Sequence, residues 1–142
     1  MITMAAITLF HGTQTDNIEV LEPRQRYYPG TDTAPRPAIY ATDEPAYAAA
    51  HAFPWATAEG VNLHFEQNRV VLEVPKALEE RLNKPIFIYT VHRDTFQPVI
   101  EDEMGHNFRS TERVECLAKT RFETVIEAVT SYGGTVIIKP NL

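Results

Sequence analysis

The sequence predicts a small α+β fold that is rich in short β-strands. The chain has 142 residues, a length that fits one domain with a hydrophobic core of its own. Hydrophobic residues make up 44% and charged residues 23%, close to the usage of ordinary globular proteins. Short β-type runs alternate with turn residues, and only a few segments have the length and composition of helices. We therefore expect one domain over residues 1–142.

The predicted strands are short runs of β-branched, aromatic and leucine residues, bounded by glycine, proline or asparagine. We expect strands at residues 7–10, 38–41, 62–66, 69–74, 86–91, 95–99, 114–117 and 135–138. The first of them is expected to end at His11-Gly12-Thr13. The third and fourth are expected to form a β-hairpin that closes at Gln67-Asn68, because alternating runs flank that dipeptide.

One segment has a strong helical signal. Thr42 or Asp43 is expected to cap an alanine-rich helix over residues 44–53. Pro45 fits the first turn of that helix, because a proline there loses no intrahelical hydrogen bond. Pro54 ends it.

The remaining segments are less regular. Residues 22–37 hold four prolines and a glycine, which predicts a long loop. Residues 56–60 look like a flexible connection, and residues 101–110 are polar and loop-like. Residues 76–82 are expected to form a short helix. Residues 122–129 fit either a strand or a helix, because β-branched residues and glutamates alternate over a helical length.

Charge and cysteine content narrow the possible functions. The formal net charge of -6 argues against a general nucleic-acid binder, since affinity for phosphates comes from clustered lysines and arginines. Cys116 is the single cysteine, so no intrachain disulfide can form, and a reducing, cytoplasmic location is expected. No apolar run approaches the length of a membrane span. No histidine cluster has the spacing of a metal site.

Two short sequence blocks are the most specific indication of a functional site in this chain. The first is Leu9-Phe10-His11-Gly12-Thr13, and the second is Ala38-Ile39-Tyr40-Ala41-Thr42-Asp43, which leads into the alanine-rich helix. The order of these features resembles the diphtheria-toxin-like branch of the ADP-ribosyltransferases. A strand that ends in His-Gly-Thr is followed by a variable loop and then by a strand with tyrosine before a helix. Poly-ADP-ribose polymerases belong to that branch. The resemblance covers residues 7–53 clearly and residues 86–129 loosely.

This resemblance implies a fold and a reaction. The fold would have two small, mainly antiparallel sheets around a nucleotide cleft, with a few helices. The substrate would be NAD, from which ADP-ribose would pass to a protein, nucleic-acid or small-molecule acceptor. The family's catalytic trio would be His11 and Tyr40 with a glutamate, for which Glu112 is the best positional match and Glu115 the competing choice.

The resemblance also implies a set of NAD-binding residues. They comprise residues of the two blocks, an aromatic after the helix and an aromatic of the covering loop: His11, Gly12, Thr13, Tyr27, Tyr40, Ala41 and Phe53. His51 is an alternative to Phe53 as the second stacking aromatic.

The chemistry of these residue types suits NAD. A histidine at a strand end can bond a ribose hydroxyl, and the backbone of Gly12 can approach a planar carboxamide closely, because no Cβ obstructs it. The Tyr40 ring can stack on nicotinamide. A glutamate would stabilise the oxocarbenium-like charge that develops as the glycosidic bond breaks.

Two other functions on the same fold remain open. A non-catalytic module could keep the pocket and bind a nucleotide or a partner. An RNA 2′-phosphotransferase would need basic residues for a phosphorylated RNA end, and Arg24, Arg26 and Arg36 are the candidates.

Several other polar or aromatic residues have ordinary structural explanations. Cys116 is expected to be a small buried hydrophobe in its strand. The acidic run Glu101-Asp102-Glu103 with His106 is expected to be a solvated loop. Tyr89 and His92 are expected on a polar outer strand face, and Trp55 is expected to pack over the end of the helix.

Overall fold

The computed structural model describes residues 8–23, 37–100 and 105–140. The strands in these ranges are β1 (Thr8–Thr13), β2 (Val20–Leu21), β3 (Ile39–Thr42), β4 (Asn62–Glu66), β5 (Arg69–Pro75), β6 (Ile86–His92), β7 (Gln97–Pro98), β8 (Asn107–Ser110), β9 (Val114–Phe122) and β10 (Thr135–Lys139). The α-helices are α1 (Pro45–Ala50) and α2 (Val125–Ser131), and 3₁₀ helices span Thr57–Glu59 and Lys76–Leu82. The predicted α+β class, with many short strands and few helices, is confirmed.

The strands form two sheets. The larger has the order β2-β9-β6-β1-β3-β8-β7, and all of its registered pairs are antiparallel. The smaller has the order β10-β5-β4, in which β5 pairs antiparallel with β4 and parallel with β10. Two mainly antiparallel sheets were expected, and this part of the fold prediction is confirmed.

Helix α1 lies at the centre of the main hydrophobic core. Its residues from Ala46 to Ala50 are all buried, and they share one cluster with α2, with residues of the smaller sheet and with Ile86 and Ile88 of β6. A helix of alanines is narrow, so neighbouring elements approach its backbone closely. A second cluster covers the opposite face of the larger sheet, around Leu9, Ile39 and Phe108.

The predicted hairpin is present. β4 and β5 pair from Asn62↔Glu73 to Glu66↔Arg69, so Gln67 and Asn68 form a two-residue turn. Both have positive φ, 51° and 65°, as a type I′ turn requires. The prediction succeeds because the signal is local: the turn residues and the alternation of the strands are adjacent in sequence.

The predicted cap of α1 is wrong. Glu44, rather than Thr42 or Asp43, is the N-cap residue, and its side chain accepts a hydrogen bond from the Ala46 amide at 3.4 Å. Thr42 still belongs to β3, where it pairs with Asn107, so its backbone cannot start the helix. The helix ends at Ala50, earlier than predicted.

Several strand boundaries also differ from the prediction, and β9 runs to Phe122 instead of ending at residue 117. β1 does not end at His11-Gly12-Thr13 but continues through it, because these residues pair with β6 as far as Thr13↔Phe87. The strand expected at residues 95–99 is reduced to Gln97–Pro98, on the edge of the larger sheet.

The polar segment before residue 110 was wrongly predicted to be a loop throughout. Asn107–Ser110 forms β8, which pairs with all of β3 from Thr42↔Asn107 to Ile39↔Ser110. His106 immediately precedes it, and its Nδ1 lies 2.7 Å from Asp43 Oδ1. The acidic run Glu101-Asp102-Glu103 lies outside the described residues.

The ambiguity over residues 122–129 is resolved as strand followed by helix. β9 runs to Phe122 along β6, and Thr124 caps α2 by accepting a hydrogen bond from the Glu127 amide at 3.1 Å. Cys116 lies in β9, is half-buried, and packs against the second cluster. It was expected to be buried, whereas the structure leaves it partly exposed; the burial that it has raises the pKa of its thiol.

Candidate functional site

A cleft of about 620 Å³ opens where β1, β2, β3 and the end of α1 meet. We call it the His11 cleft. Its walls come from the end of β1 and the loop after it, from β2, from the start of β3, and from the segment after α1: His11–Thr15, Asn17–Glu22, Ala38–Tyr40 and His51–Pro54. Five of the predicted site residues, from both sequence blocks and the segment after the helix, are thus brought together: His11, Gly12, Thr13, Tyr40 and Phe53.

The cleft lies where β1 and β3 separate. One registered pair, Phe10↔Thr42, joins these strands within the described part of the chain, whereas β1 pairs with β6 along its whole length. Past Phe10 the two strands are connected through a side chain: His11 Nδ1 lies 2.7 Å from the carbonyl oxygen of Tyr40. The imidazole therefore bridges the strands at the mouth of the opening.

This hydrogen bond determines which nitrogen of His11 carries a proton. A carbonyl oxygen can only accept, so Nδ1 must be the donor. In the neutral imidazole Nε2 is then an acceptor, a tautomer assigned from the hydrogen bond. An acceptor at Nε2 suits a hydroxyl donor, such as a ribose hydroxyl.

From the sequence, Gly12 was expected to be glycine so that its backbone could approach a planar carboxamide. In the structure, glycine is required at this position because of helix α1. A Cβ at this position would lie 2.0 Å from the carbonyl oxygen of Ala48 and 3.2 Å from the Cβ of Ala52. The missing side chain therefore allows α1 to pack against β1. The backbone of Gly12 still lines the cleft, but the close approach that demands glycine is the approach of the helix.

The other predicted binding residues occupy varied positions. Tyr40 is half-buried on the wall, and Phe53 is buried in the main core with part of its surface on the cleft. Ala41 is buried in the second cluster and is not a lining residue. His51 is exposed and lines the cleft beside Phe53, so both candidates for the second aromatic are present.

The glutamates stand apart from the cleft lining. Glu112 lies in the exposed turn between β8 and β9, where its backbone amide and carbonyl both bond the Ser110 hydroxyl at 3.2 Å. Glu115 is exposed on β9 opposite Val20. The carboxylates on the described wall belong instead to Glu19 and Glu22.

The loop after β1 is held by Tyr89, whose predicted position is wrong. Tyr89 was expected on a polar outer face, but it is 1% exposed. Its hydroxyl donates to the Thr15 carbonyl at 2.9 Å and accepts from the Ile18 amide at 3.2 Å. A tyrosine inside the apolar strand Ile86–His92 is the signal that could have indicated this role, since a buried hydroxyl needs partners.

An ion pair holds the same loop from outside. Lys119 Nζ of β9 lies 2.5 Å from Asp16 Oδ1, and the same oxygen accepts from the Asn17 amide at 2.7 Å. The hydrogen bond from Lys119, followed by the one from the Asn17 amide, lowers the pKa of Asp16. Both side chains are partly solvated, so the pair orients the loop more than it stabilises the fold.

Comparison of the chain with protein-family models, with curated proteins and with solved structures found no match. Tyr27, predicted to cover the cleft, lies outside the described residues, as do Arg24, Arg26 and Arg36. In the described ranges, no group of three or more His, Cys, Asp or Glu side chains is arranged to hold a metal ion. Neither described α-helix is long and apolar enough to cross a membrane.

Proposed function

We propose that this protein is an ADP-ribosyltransferase-like protein that binds NAD in the His11 cleft. The observation that carries the proposal is the convergence of His11, Gly12 and Tyr40 on one cleft of about 620 Å³, although residues 14–37 separate the two sequence blocks in the chain. That volume lies within the range of small-molecule and cofactor sites.

Each of these residues has a distinct role in the proposed complex. Nε2 of His11 accepts a hydrogen bond from a ribose hydroxyl, because its Nδ1 proton is engaged by the Tyr40 carbonyl. The backbone of Gly12 bonds the carboxamide, and the Tyr40 ring stacks on nicotinamide. Phe53 or His51 forms the opposite apolar wall.

In the proposed transfer the bond between the ribose C1′ and the nicotinamide nitrogen breaks, and its electron pair leaves with nicotinamide. A nucleophilic atom of the acceptor forms the new bond to C1′ and gives up its proton. A carboxylate close to the ribose would stabilise the positive charge that develops on the ring. Glu112, or Glu115 in its place, is proposed for that role.

A non-catalytic nucleotide-binding module is the second candidate. The position of Glu112 favours it, because this exposed turn residue is not among the lining residues of the cleft in the described structure. The two candidates share the NAD site and differ in whether a carboxylate reaches the bound ribose.

Calorimetric titration with NAD tests the site. We expect saturable binding by the wild type, and loss of binding in His11→Ala and Tyr40→Ala. Tyr40→Phe keeps the ring and should retain most of the affinity. His92→Ala, which removes an exposed histidine at the end of β6, is the matched control and should bind like the wild type. Failure of the wild type to bind millimolar NAD would overturn the proposal.

Release of nicotinamide separates the transferase from the binding module. If Glu112 acts on the developing charge, Glu112→Gln should lower the release rate about 100-fold while NAD affinity stays nearly unchanged. The same loss in Glu115→Gln would assign the role to Glu115. No release by a wild-type protein that binds NAD, with candidate acceptors supplied, would leave the binding module as the function.

A further inference from the structure

A second cavity, of about 530 Å³, lies beyond the C-terminal end of α1. We call it the α1-end cavity. Aromatic side chains of α1 and the segment after it form one wall, and residues 60–63 with Lys139 of β10 form the other. Among the described residues, His51 alone also lines the His11 cleft. The proposed function leaves this cavity without a role.

The aromatic wall is ordered by ring contacts and one hydrogen bond, and its rings are suited to stacking. The rings of His51 and Trp55 are stacked, with centroids 5.5 Å apart and planes 22° apart. Tyr47 meets His51 edge-on at 4.6 Å. The Trp55 indole N–H donates to the carbonyl of Ala50 at 2.9 Å, which fixes the ring over the end of the helix. Trp55 thus packs over the helix end as predicted, and its ring also lines the cavity.

The charge of the cavity is opposite to that of the whole chain. The protein has 19 aspartates and glutamates and a net charge of -6, yet none of the described residues that line this cavity is acidic. Its charged lining residue is Lys139, whose Nζ donates one hydrogen bond to the Gly60 carbonyl at 3.1 Å. An ammonium has three donors, so it can bind an anion while this contact is kept.

We propose that the α1-end cavity binds a nucleoside monophosphate. The base stacks on the ring system of His51 and Trp55, and the phosphate pairs with Lys139. Asn62 and Thr57 supply polar side chains for the edge of the base. A free nucleotide fits better than a nucleic acid, because the net charge of -6 disfavours a polyanion and Lys139 is the one lysine or arginine among the described residues that line the cavity. This site does not depend on NAD binding in the His11 cleft.

The chain provides its own probe, since Trp55 is its single tryptophan. Titration with AMP should quench Trp55 fluorescence saturably, because the base stacks on the indole. Adenosine, which lacks the phosphate, and ribose 5-phosphate, which lacks the base, should each bind at least tenfold more weakly. No saturable change with AMP would overturn the proposal.

Variants locate the ligand. Lys139→Gln should raise the Kd for AMP about tenfold, the loss expected for one charge-assisted contact. Lys84→Gln, an exposed lysine before β6, has the same change in charge and should leave the Kd unchanged. Circular dichroism shows that both variants are folded. An equal Kd in the two lysine variants would overturn the phosphate assignment.

His11→Ala distinguishes this proposal from the NAD proposal. It should abolish NAD binding and leave the AMP response of Trp55 intact. Loss of the AMP response in His11→Ala would move the nucleotide to the His11 cleft and overturn the second site. Tighter binding of a short single-stranded oligonucleotide than of AMP would overturn the choice of a free nucleotide. A normal AMP response without any NAD binding would support this site while the proposed function fails.

Discussion

The two sides of β1 differ in how the strand is held. On one side it pairs with β6 at six successive positions, from Thr8↔His92 to Thr13↔Phe87. On the other side one registered pair, Phe10↔Thr42, joins it to β3 in the described chain. The continuous ladder fixes the position of β1, and the interrupted one leaves room for the His11 cleft. The cleft thus forms where the backbone pairing of β1 with β3 stops. The pairing of β1 with β6 on the other side continues.

The sequences on the two sides account for this difference. β6 is apolar and β-rich, and most of its residues are buried. Pro37, two residues before β3, has no N–H and so cannot donate a hydrogen bond to a longer ladder. Helix α1 packs closely on Gly12, at the end of β1 that lines the cleft.

Gly12→Ala should have the largest effect, because it forces β1 away from α1 on the cleft side. The new Cβ would meet a backbone oxygen, which has little freedom to move, and we expect a loss of about 3 kcal/mol in the free energy of unfolding. Chemical denaturation measures this loss. Gly105→Ala is the control: apart from its chain neighbours, no atom of the described residues lies within 4 Å of its Cβ position, and its φ of +74° should cost only about 1 kcal/mol. Similar losses in the two variants would contradict the packing role of Gly12.

Tyr89→Phe tests how the β6 side controls the cleft. The change removes one hydroxyl and leaves the Thr15 carbonyl and the Ile18 amide without this partner. We expect a loss of about 2 kcal/mol. Hydrogen exchange at the Ile18 amide should become faster and NAD binding weaker, because the loop after β1 lines the cleft. Unchanged exchange at Ile18 would show that the hydroxyl does not hold the loop.

His11→Ala tests the bridge on the β3 side. Loss of the hydrogen bond to the Tyr40 carbonyl should cost about 1 kcal/mol in the free energy of unfolding. His92→Ala, on the exposed end of β6, should change stability by less than about 0.5 kcal/mol. If both variants lose the same stability, the bridge to the Tyr40 carbonyl does not help to hold β1 in place.

The smallest effect is expected at the ion pair of Asp16 and Lys119. The pKa of Asp16 in the folded protein lies below its ordinary value, mainly through the hydrogen bond from Lys119. The resulting stabilisation is therefore present above the unfolded pKa and is lost as the pH falls through the folded pKa. Lys119→Gln should move the NMR-detected pKa of Asp16 upward and make stability less sensitive to acid, while Lys84→Gln should change neither. An unmoved Asp16 pKa would mean that the pair does not form in solution.

The sequence predicted much of the local structure correctly. The hairpin of β4 and β5, the presence of β1 and β3, and the helix rich in alanine all follow from short-range patterns, although β1 continues through His11, where its end was expected. The family resemblance predicted that His11 and Tyr40 lie together, and both line the His11 cleft. The family, the reaction and the role of Glu112 stay predictions.

Other features depended on contacts between distant segments. β8 is polar and shows little strand pattern, and it is a strand because β3 offers it a partner. From the sequence, Tyr89 was expected on the outer face of its strand. It is buried because its hydroxyl bonds the loop after β1. Thr42 has the preferred chemistry of a helix cap, yet its pairing in the sheet leaves that position to Glu44.

The sequence by itself determined which segments are strands and helices wherever the cause lies within a few residues, as at Gln67-Asn68 and in the alanines of α1. Only the tertiary structure decided why Gly12 must be glycine, where β1 leaves β3, and which carboxylates face the cleft. The physical reason is that steric contact, burial and hydrogen bonding act between atoms that are close in space. For these residues the decisive neighbours are far away in the chain.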